Sequence, residues 1–336
     1  MALNIAIYGY DTDIGKLILE VMEERNFQVN ELFPLSPLSG GFDAVTLHGK
    51  NYMISAVDDF DFAKADAAFF ITTRDETLRL HEKARQAGCI VIDNSRLFAG
   101  MSDIPTILPE VNPYAVKQGI EKRMLMPAAS VSTELALTLG SLHDEYGLKR
   151  AAVTALLSMS EHGRTGTETL ARETAMLLNG LEADSSDFEA QVAFNLHTRI
   201  GKALPDGRSE VEQVILDELY ALLADLPADI SLTCLQVPVF YGHTVSVHAE
   251  FEQDVDLDEV KACLSAVEGL CVCPDEELIT PVTHGVRDNK LYVARLRGNP
   301  KVKKALDFVV IMDNTRRGEA VNCVQCAELL QKELQK

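Results

Sequence analysis

The sequence predicts an α/β fold: a Rossmann-type, doubly wound parallel sheet, followed by an α+β domain with a mixed sheet. The chain opens with an apolar run at residues 4–8, then Gly9, then apolar residues at helical spacing over 14–22. This is the strand–turn–helix start of a βαβ unit. Short apolar runs then alternate with helical patterns, which favours parallel strands. Beyond residue 150 the runs lengthen and the intervening helices become fewer, as is typical of a mixed or antiparallel sheet.

Hydrophobic spacing predicts each element in turn. In the first part, strands are predicted at 67–71, 89–92 and 124–126, and helices at 76–87 and 133–142. In the second part, strands are predicted at 151–159, 230–239, 244–251, 291–297 and 308–312, and helices at 167–178, 210–223 and 257–267. An amphipathic helix is predicted over 318–336, with Lys332 and Lys336 at its basic end. We therefore expect one domain of residues 1–128 with 318–336, and a second of residues 129–317.

Composition narrows the class of protein. The 336 residues suggest about two domains and carry 31 Lys+Arg against 51 Asp+Glu, a formal net charge of −20. Because such a surface repels a nucleic-acid backbone, no nucleic-acid partner is expected. No apolar run approaches the ~18 residues of a membrane helix, and the first residues show no signal-peptide pattern, so we expect no membrane association and a cytoplasmic location. The odd count of seven cysteines fits reduced thiols.

The turn between Gly9 and Gly15 lies where a dinucleotide-binding loop is expected, at the N-terminus of the first helix. Its cofactor-binding candidates are Gly9, Asp11, Thr12, Asp13 and Ile14. Thr12 stands at the middle glycine position, and the carboxylates of Asp11 and Asp13 would repel a pyrophosphate. The alternative is a purely structural turn in which Asp11 or Thr12 caps the helix.

Several loops after the predicted strands carry strings that identify a family. They are Asp93-Asn94-Ser95, residues 109–113 (PEVNP), 127–133 (PAASVST), 193–195 (AFN), 237–243 (VPVFYGH) and 313–318 (DNTRRG), with Asn322. In an open α/β sheet, such carboxyl-end loops line the ligand crevice. In this order, and over essentially the whole chain, the strings resemble aspartate-semialdehyde dehydrogenase.

The resemblance implies a dimeric enzyme that reduces L-aspartyl 4-phosphate to L-aspartate 4-semialdehyde with NADPH, in amino-acid biosynthesis. The two parts of the chain then correspond to an NAD(P)-binding domain and a dimerisation and substrate domain. The family uses a cysteine nucleophile in an Asn-Cys-Ser-Thr turn and a histidine acid/base, which falls on His243. Aligning the Ser-Thr pair with Ser132-Thr133 places Val131 at the nucleophile position, whereas aligning the proline places Ala129 there. Neither residue is a thiol.

Other positions implied by the resemblance also differ. The glutamine that positions the substrate falls on Leu157, and the following Ser-Gly-Ala-Gly turn reads Ser160-Glu161-His162-Gly163. The arginines for the acyl phosphate and the substrate carboxylate fall on Ala99 and Gln236, and the Glu-x-x-Lys motif reads Pro205 and Arg208. The NADP-binding Ser-x-Arg reads Ser36-Pro37-Leu38, without the cation for the 2′-phosphate. Outside the glycine turn, the cofactor-binding candidates are Ser36 and Asn314.

These replacements are large on an energy scale. Loss of a covalent nucleophile costs on the order of 10⁶ in rate, about 8 kcal/mol. Each lost arginine clamp costs about 2–3 kcal/mol more. Ser130 or Ser132 would need an adjacent activating base to serve instead. The family reaction is therefore not expected of this chain.

Three features have two interpretations each. His243 suits hydrogen-bonded structure as well as catalysis. The pairs Cys323/Cys326 and Cys271/Cys273 are interpreted as packing residues rather than zinc ligands, so no metal is expected. Residues 161–164 (EHGR) suit either a solvated loop or a site for a different anion.

Two hypotheses follow for the function. In the first, the chain is a cysteine-less (Usg-like) paralogue that keeps the fold and the homodimer but not the reaction, with an interaction or regulatory role that includes a heterodimer with the true enzyme. In the second, it is an active NAD(P)-dependent oxidoreductase on a different aldehyde or oxo substrate, using His243 without a covalent intermediate. The joint loss of the nucleophile, both arginines and the Ser-x-Arg cation favours the first. NADP is the cofactor that the resemblance implies, and the altered turn argues against tight binding.

Overall fold

A computed structural model describes residues 2–37, 43–184, 186–224, 226–299 and 301–336. The chain forms two compact units, Met1–Ala128 with Glu319–Lys336, and Ala129–Gly318. Leu38, at the position of the missing cofactor cation, lies outside the described residues. Gly318 falls in the second unit because it packs there: a Cβ on Gly318 would lie 2.5 Å from Ser130 Cβ and 3.1 Å from the Met312 methyl.

The first unit contains a seven-stranded parallel sheet with the strand order β5-β2-β1-β6-β7-β9-β8. A hairpin, β3–β4, forms a separate antiparallel pair. The strands are β1 (Leu3–Tyr8), β2 (Val29–Ser36), β3 (Ala44–Leu47), β4 (Lys50–Met53), β5 (Ser55–Ala56), β6 (Ala67–Phe70), β7 (Ile90–Asp93), β8 (Thr106–Ile107) and β9 (Met124–Pro127). The helices are α1 (Asp13–Glu24), α2 (Arg74–Gln86), α3 (Val116–Lys122) and α9 (Asn322–Leu334).

Alternate residues of β1 enter two different hydrophobic clusters. Leu3, Ile5 and Ile7 belong to one cluster, whereas Ala6 and Tyr8 belong to the other. Because successive side chains of a strand point to opposite faces, the sheet is covered on both faces, as a doubly wound sheet requires. The predicted Rossmann-type class is confirmed.

The second unit contains a six-stranded mixed sheet with the order β11-β10-β12-β15-β14-β13. Its edge pairs β10–β11 and β13–β14 are parallel, and the pairs between them are antiparallel. The strands are β10 (Leu148–Leu157), β11 (Asp229–Gln236), β12 (His243–Phe251), β13 (Leu270–Val272), β14 (Leu291–Asn299) and β15 (Val302–Met312). The helices are α4 (Ser130–Tyr146), α5 (Gly163–Leu178), α6 (Glu210–Leu222), α7 (Leu257–Ser265) and α8 (Pro281–His284).

One face of this mixed sheet is covered by helices, since α4 and α6 pack on β10, β11, β12 and β15, and α7 packs on β13 and β14. The buried residues alternate along the strands accordingly, as Ile230, Leu232 and Cys234 do in β11. The residues between them are exposed or half-buried, including Ala152 and Ser246. The second face of the sheet is therefore open in the described chain. We call it the open face.

Several predicted boundaries differ from those observed. Helix α4 begins at Ser130 rather than residue 133, and strand β11 ends at Gln236, shortly before Pro238, which has no N–H for a further ladder hydrogen bond. The predicted helix over 318–336 is a π-helical segment, Arg316–Val321, followed by α9. The hairpin β3–β4 was not predicted from the sequence. Within the described ranges, no helix is long and apolar enough to cross a membrane.

Candidate active site

The start of α4 holds the position expected for the nucleophile. Ala129 precedes the helix in extended conformation, and its N–H donates to Glu218 Oε2 at 2.9 Å. Val131 is the second helical residue and is 2% exposed. A helix N-terminus lowers the pKa of a thiol placed there, but Ala129 and Val131 carry only carbon. Ser132 Oγ has no hydrogen-bond partner among the described residues, so no base activates this hydroxyl.

The seven cysteines, all within the described residues, do not replace the missing thiol. Burial raises the thiol pKa of Cys89 and Cys273 to about 12. It also raises the thiol pKa of four more cysteines, which are Cys234, Cys263, Cys323 and Cys326. A nucleophilic thiol needs the opposite shift. Cys271 lies in β13, the edge strand that β15 and β14 separate from β12.

The Cys323/Cys326 pair packs inside the first unit. Cys323 Sγ lies 3.6 Å from Asn94 Oδ1, and Cys326 Sγ lies 3.8 Å from the carbonyl oxygen of Ile107. Both residues are completely buried. Over the part of the chain that the structure describes, no group of three or more His, Cys, Asp or Glu side chains is placed to hold a metal.

His243, the expected acid/base, is the first residue of β12 and is completely buried. Its Nδ1 receives the backbone N–H of Ser158 at 3.2 Å and lies 3.1 Å from Ser158 Oγ. Because a backbone N–H can only donate, Nδ1 is the acceptor and the ring proton sits on Nε2. Nε2 then donates to Glu161 Oε2 at 2.9 Å. In the β12–β15 ladder, His243 lies opposite Met312. The Met312 side chain also packs against Gly318, which lies beside Ser130 at the start of α4. His243 and the start of α4 therefore lie at the same end of this unit.

Asn314, a predicted cofactor-binding residue, lies in the same cluster and is 2% exposed. Its Oδ1 accepts from the Gly242 N–H at 3.0 Å, from Ser160 Oγ at 3.0 Å and from Ser158 Oγ at 3.3 Å. These bonds connect the loop before β12 to the segment after β10. The Asn314 amide oxygen is therefore used within the protein.

Residues 161–164 are helical rather than a loop, which corrects the first interpretation in that respect, while Glu161, Gly163 and Arg164 are exposed to solvent as that interpretation expected. Residues Met159–His162 are a 3-10 helix that leads into α5. Backbone bonds tie it to the loop before β12, with Met159 N donating to Val239 O and Ser160 N donating to Phe240 O. The turn thereby aims the Glu161 side chain at His243.

Gln236, at the position of the carboxylate-binding arginine, is buried and fully engaged. Its Nε2 donates to the carbonyl oxygen of Leu157 at 2.8 Å, so its Oε1 accepts from His162 Nε2 at 2.9 Å. The pair lines an open groove of about 700 Å³. Arg199 also lines this groove, and its guanidinium forms a salt bridge to the Glu189 carboxylate at 2.5 Å. A neutral amide thus stands at the position expected for the arginine that binds the single substrate carboxylate.

The glycine turn in the first unit is built for tight packing. Gly9 has φ +89°, and a Cβ there would lie 2.0 Å from the carbonyl oxygen of Ile71, while a Cβ on Gly15 would lie 2.1 Å from the Gly9 oxygen. Thr12 caps α1: its Oγ1 accepts from the Gly15 N–H at 3.0 Å and donates to Gly9 O at 2.7 Å. The close approach of the backbone therefore requires glycine at both positions. The Gly15 N–H, which could otherwise donate to a phosphate, already donates to Thr12.

The electrostatics of this turn are negative. Asp11 is exposed, and Asp13 begins α1. Burial, followed by the carboxylates of Asp11 and Asp43, raises the pKa of the Tyr10 phenol. A pyrophosphate would meet the same field, so the residues present do not fit a strong dinucleotide site. The main chain of Ser36, the last residue of β2, accepts from the Val57 N–H at 2.9 Å.

No arginine is found at the acyl-phosphate position, where Ala99 stands in a turn. The cation three residues earlier, Arg96, bonds to Glu319 Oε2 at 3.0 Å and to the carbonyl oxygen of Pro127. In the second unit, Arg208 bonds to Asp206 Oδ2 at 2.7 Å. Both guanidinium groups are thus held by carboxylates.

Comparison with known proteins agrees with this architecture. Residues 4–119 match the NAD binding domain of semialdehyde dehydrogenases, and residues 139–317 match their dimerisation domain. The fold and these two matches define a semialdehyde-dehydrogenase-type protein. The chain is 32% identical over 328 residues to an aspartate-semialdehyde dehydrogenase of Shewanella violacea, covering 97% of each. It is 34% identical over 333 residues to a USG-1 protein homolog of Azotobacter vinelandii, covering 99% of this chain and 98% of that protein.

Solved structures give the same result. Aspartate semialdehyde dehydrogenase II from Vibrio cholerae, solved in complex with ASA, superposes with a TM-score of 0.95 at 31% identity and covers 99% of each chain. The chain therefore belongs to the aspartate-semialdehyde dehydrogenase family. Its relatives include proteins named as the dehydrogenase and proteins named as USG-1 homologs.

Sequence reasoning missed one central contact of the site, the pair formed by Glu161 and His243. The two residues are 82 positions apart, and no local pattern links them. The available signal was the replacement of the first glycine of the family's turn by Glu161. A charged side chain at a position where the family has glycine indicates that neighbouring residues have also changed to contact it.

Proposed function

We propose that this chain is a dimeric family member that does not reduce aspartyl phosphate through a covalent thioester. The observation that carries the proposal is the start of α4, where Ala129 before the helix and Val131 in its first turn provide no sulfur. The raised pKa values of the buried cysteines elsewhere support it. Gln236 supports it further, because its uncharged amide stands at the position that the family resemblance assigns to the arginine for the substrate carboxylate.

The direct test is the phosphate-dependent reduction of NADP by aspartate semialdehyde, on protein purified from a strain that lacks the true enzyme. The matched control is the His243→Ala variant, prepared in the same strain. We expect the wild-type chain to show no turnover above that control. Turnover clearly above it would mean that a nucleophile exists, and the proposal would be wrong.

We also propose that NADP, the cofactor expected from the resemblance, does not bind tightly. Thr12 already satisfies the Gly15 N–H, and Asp11 and Asp13 oppose a pyrophosphate. Isothermal calorimetry should show no saturable binding of NADPH or NADH at millimolar cofactor. Saturable binding would instead favour the second hypothesis, an active oxidoreductase on a different aldehyde or oxo substrate.

For the assembly, we propose a homodimer that forms through the open face. Ala152, Ser246 and Val309 lie on this face, and small side chains of this kind permit close sheet-to-sheet packing. A stable dimer needs about 800 Å² from each partner, which a six-stranded sheet can supply. The free cysteines support reducing surroundings, and we place the protein in the cytoplasm.

A heterodimer with the true aspartate-semialdehyde dehydrogenase would give the chain an interaction or regulatory role. Affinity-tagged chain, co-expressed with that enzyme, should recover it in a fixed ratio. Recovery of the tagged chain alone, from cells that contain both proteins in comparable amounts, would exclude the heterodimer and leave the homodimer.

A further inference from the structure

The Glu161–His243 pair is inverted relative to the usual arrangement of a carboxylate and an imidazole at a catalytic site. Ordinarily a buried carboxylate orients the ring from behind, and the ring meets the substrate. Here the ring is completely buried, whereas the Glu161 side chain is 32% exposed. The exposed member of the pair is therefore the glutamate and not the imidazole.

Both ring nitrogens of His243 are engaged. Nδ1 accepts the Ser158 N–H from the main chain, and Nε2 donates its proton to Glu161 Oε2. Since the backbone donor cannot be reversed, the ring is held as the Nε2–H tautomer, and its single proton points at Glu161. A ligand could reach His243 only after Glu161 moved away.

We propose that Glu161 is a positioning residue that caps His243, so that the site presents a carboxylate where a ligand would otherwise meet an imidazole. The cap is independent of the missing thiol, because it lies on the turn between β10 and α5 and not on α4. Any proton exchanged with a ligand would pass through Glu161 first.

The test follows the ring proton itself by NMR, on full-length protein labelled with ¹⁵N-histidine. The chain has eight histidines, and the His243 signals are assigned by their loss in a His243→Asn variant. Long-range ¹H–¹⁵N spectra should show the Nε2–H tautomer for His243 in the wild-type protein. A His243 ring that carries its proton on Nδ1 would overturn the proposal without the need for any Glu161 variant.

The second measurement is the exchange of the Nε2 proton with water. In Glu161→Gly, exchange should be about 10- to 100-fold faster, because a hydrogen bond to a charged acceptor is lost. Glu161→Gln is the matched control: its Oε1 still accepts the proton, so exchange should stay within a few-fold of the wild type. Equal exchange in wild type and Glu161→Gly would overturn the proposal. If Glu161→Gly does not fold, Glu161→Ala takes its place, and the wild-type tautomer is still decisive.

Discussion

Glu134 lies in the second turn of α4, and its replacement by glutamine should stabilise the protein at neutral pH. The residue is completely buried, and neither carboxyl oxygen has a hydrogen-bond partner among the described residues. Burial raises the pKa of this carboxyl well above its usual value of 4.5. The folded state therefore binds this proton more tightly than the unfolded chain does.

The sign and the size of the effect follow from proton linkage. Because the folded pKa lies above the unfolded one, the free energy of unfolding falls as the pH rises above about 4.5, until the folded pKa is passed. At 1.36 kcal/mol per pH unit, the loss between pH 4.5 and pH 7 is at most about 3.4 kcal/mol. Glutamine has nearly the same shape and carries no titrating proton. At pH 7, the free energy of unfolding of Glu134→Gln should therefore exceed that of the wild type by up to the same amount. At pH 4.5, the two free energies of unfolding should be nearly equal.

The assay is urea unfolding followed by circular dichroism at several pH values between 5 and 8, at one protein concentration. Glu145→Gln is the matched control, because Glu145 lies on the exposed side of the same helix. The control should differ from the wild type by less than about 0.5 kcal/mol at every pH. A Glu134→Gln variant that is less stable at pH 7, or whose advantage does not grow with pH, would refute the reasoning.

Three further predictions concern the turn, the thiols and the open face. Thr12→Ala should lower the free energy of unfolding by about 1 kcal/mol in urea titrations, since the Gly15 N–H loses its cap; an unchanged midpoint would contradict the capping role. At pH 8, a thiol reagent should titrate fewer than seven thiols in the native chain and all seven in urea, because burial keeps Cys89 and Cys273 protonated; seven fast thiols in the native state would contradict it. Ser246→Arg should convert the proposed dimer to monomer in light-scattering chromatography, because a buried unpaired charge costs about 3–5 kcal/mol. Glu168→Arg, on exposed α5, should leave the dimer intact; a dimeric Ser246→Arg would place the interface elsewhere.

The layers of the fold could be predicted because its strands are strongly patterned. Strand β6 is buried at every position and β11 alternates, and both patterns are visible in the sequence. The early start of α4 could not be predicted from hydrophobic spacing, because buried polar residues such as Ser130 and Ser132 interrupt it. The hairpin β3–β4 has only four residues in each strand, and only Leu47 and Tyr52 among them are buried, which is too weak a signal for a prediction.

The functional groups that the site lacks could be predicted from the sequence better than the contacts between its side chains. The missing thiol at Val131 and the missing cation at Gln236 can be read directly, because each is a single residue type at a fixed place in a motif. Which neighbours take up the freed space depends on contacts between distant segments, such as Gln236 with His162 and Glu161 with His243. Of the two capping residues considered, Asp11 and Thr12, the structure shows Thr12 as the cap.

The most direct test of the central claim is the intact mass of the chain after incubation with aspartate semialdehyde and NADP in the absence of phosphate. A family member with a working thiol would form a thiohemiacetal, pass hydride to NADP and keep the acyl group as a thioester, because no phosphate releases it. We predict an unchanged mass for this chain and no formation of NADPH. A mass increase that maps to any of its cysteines would contradict the claim that Val131 marks the loss of the reaction.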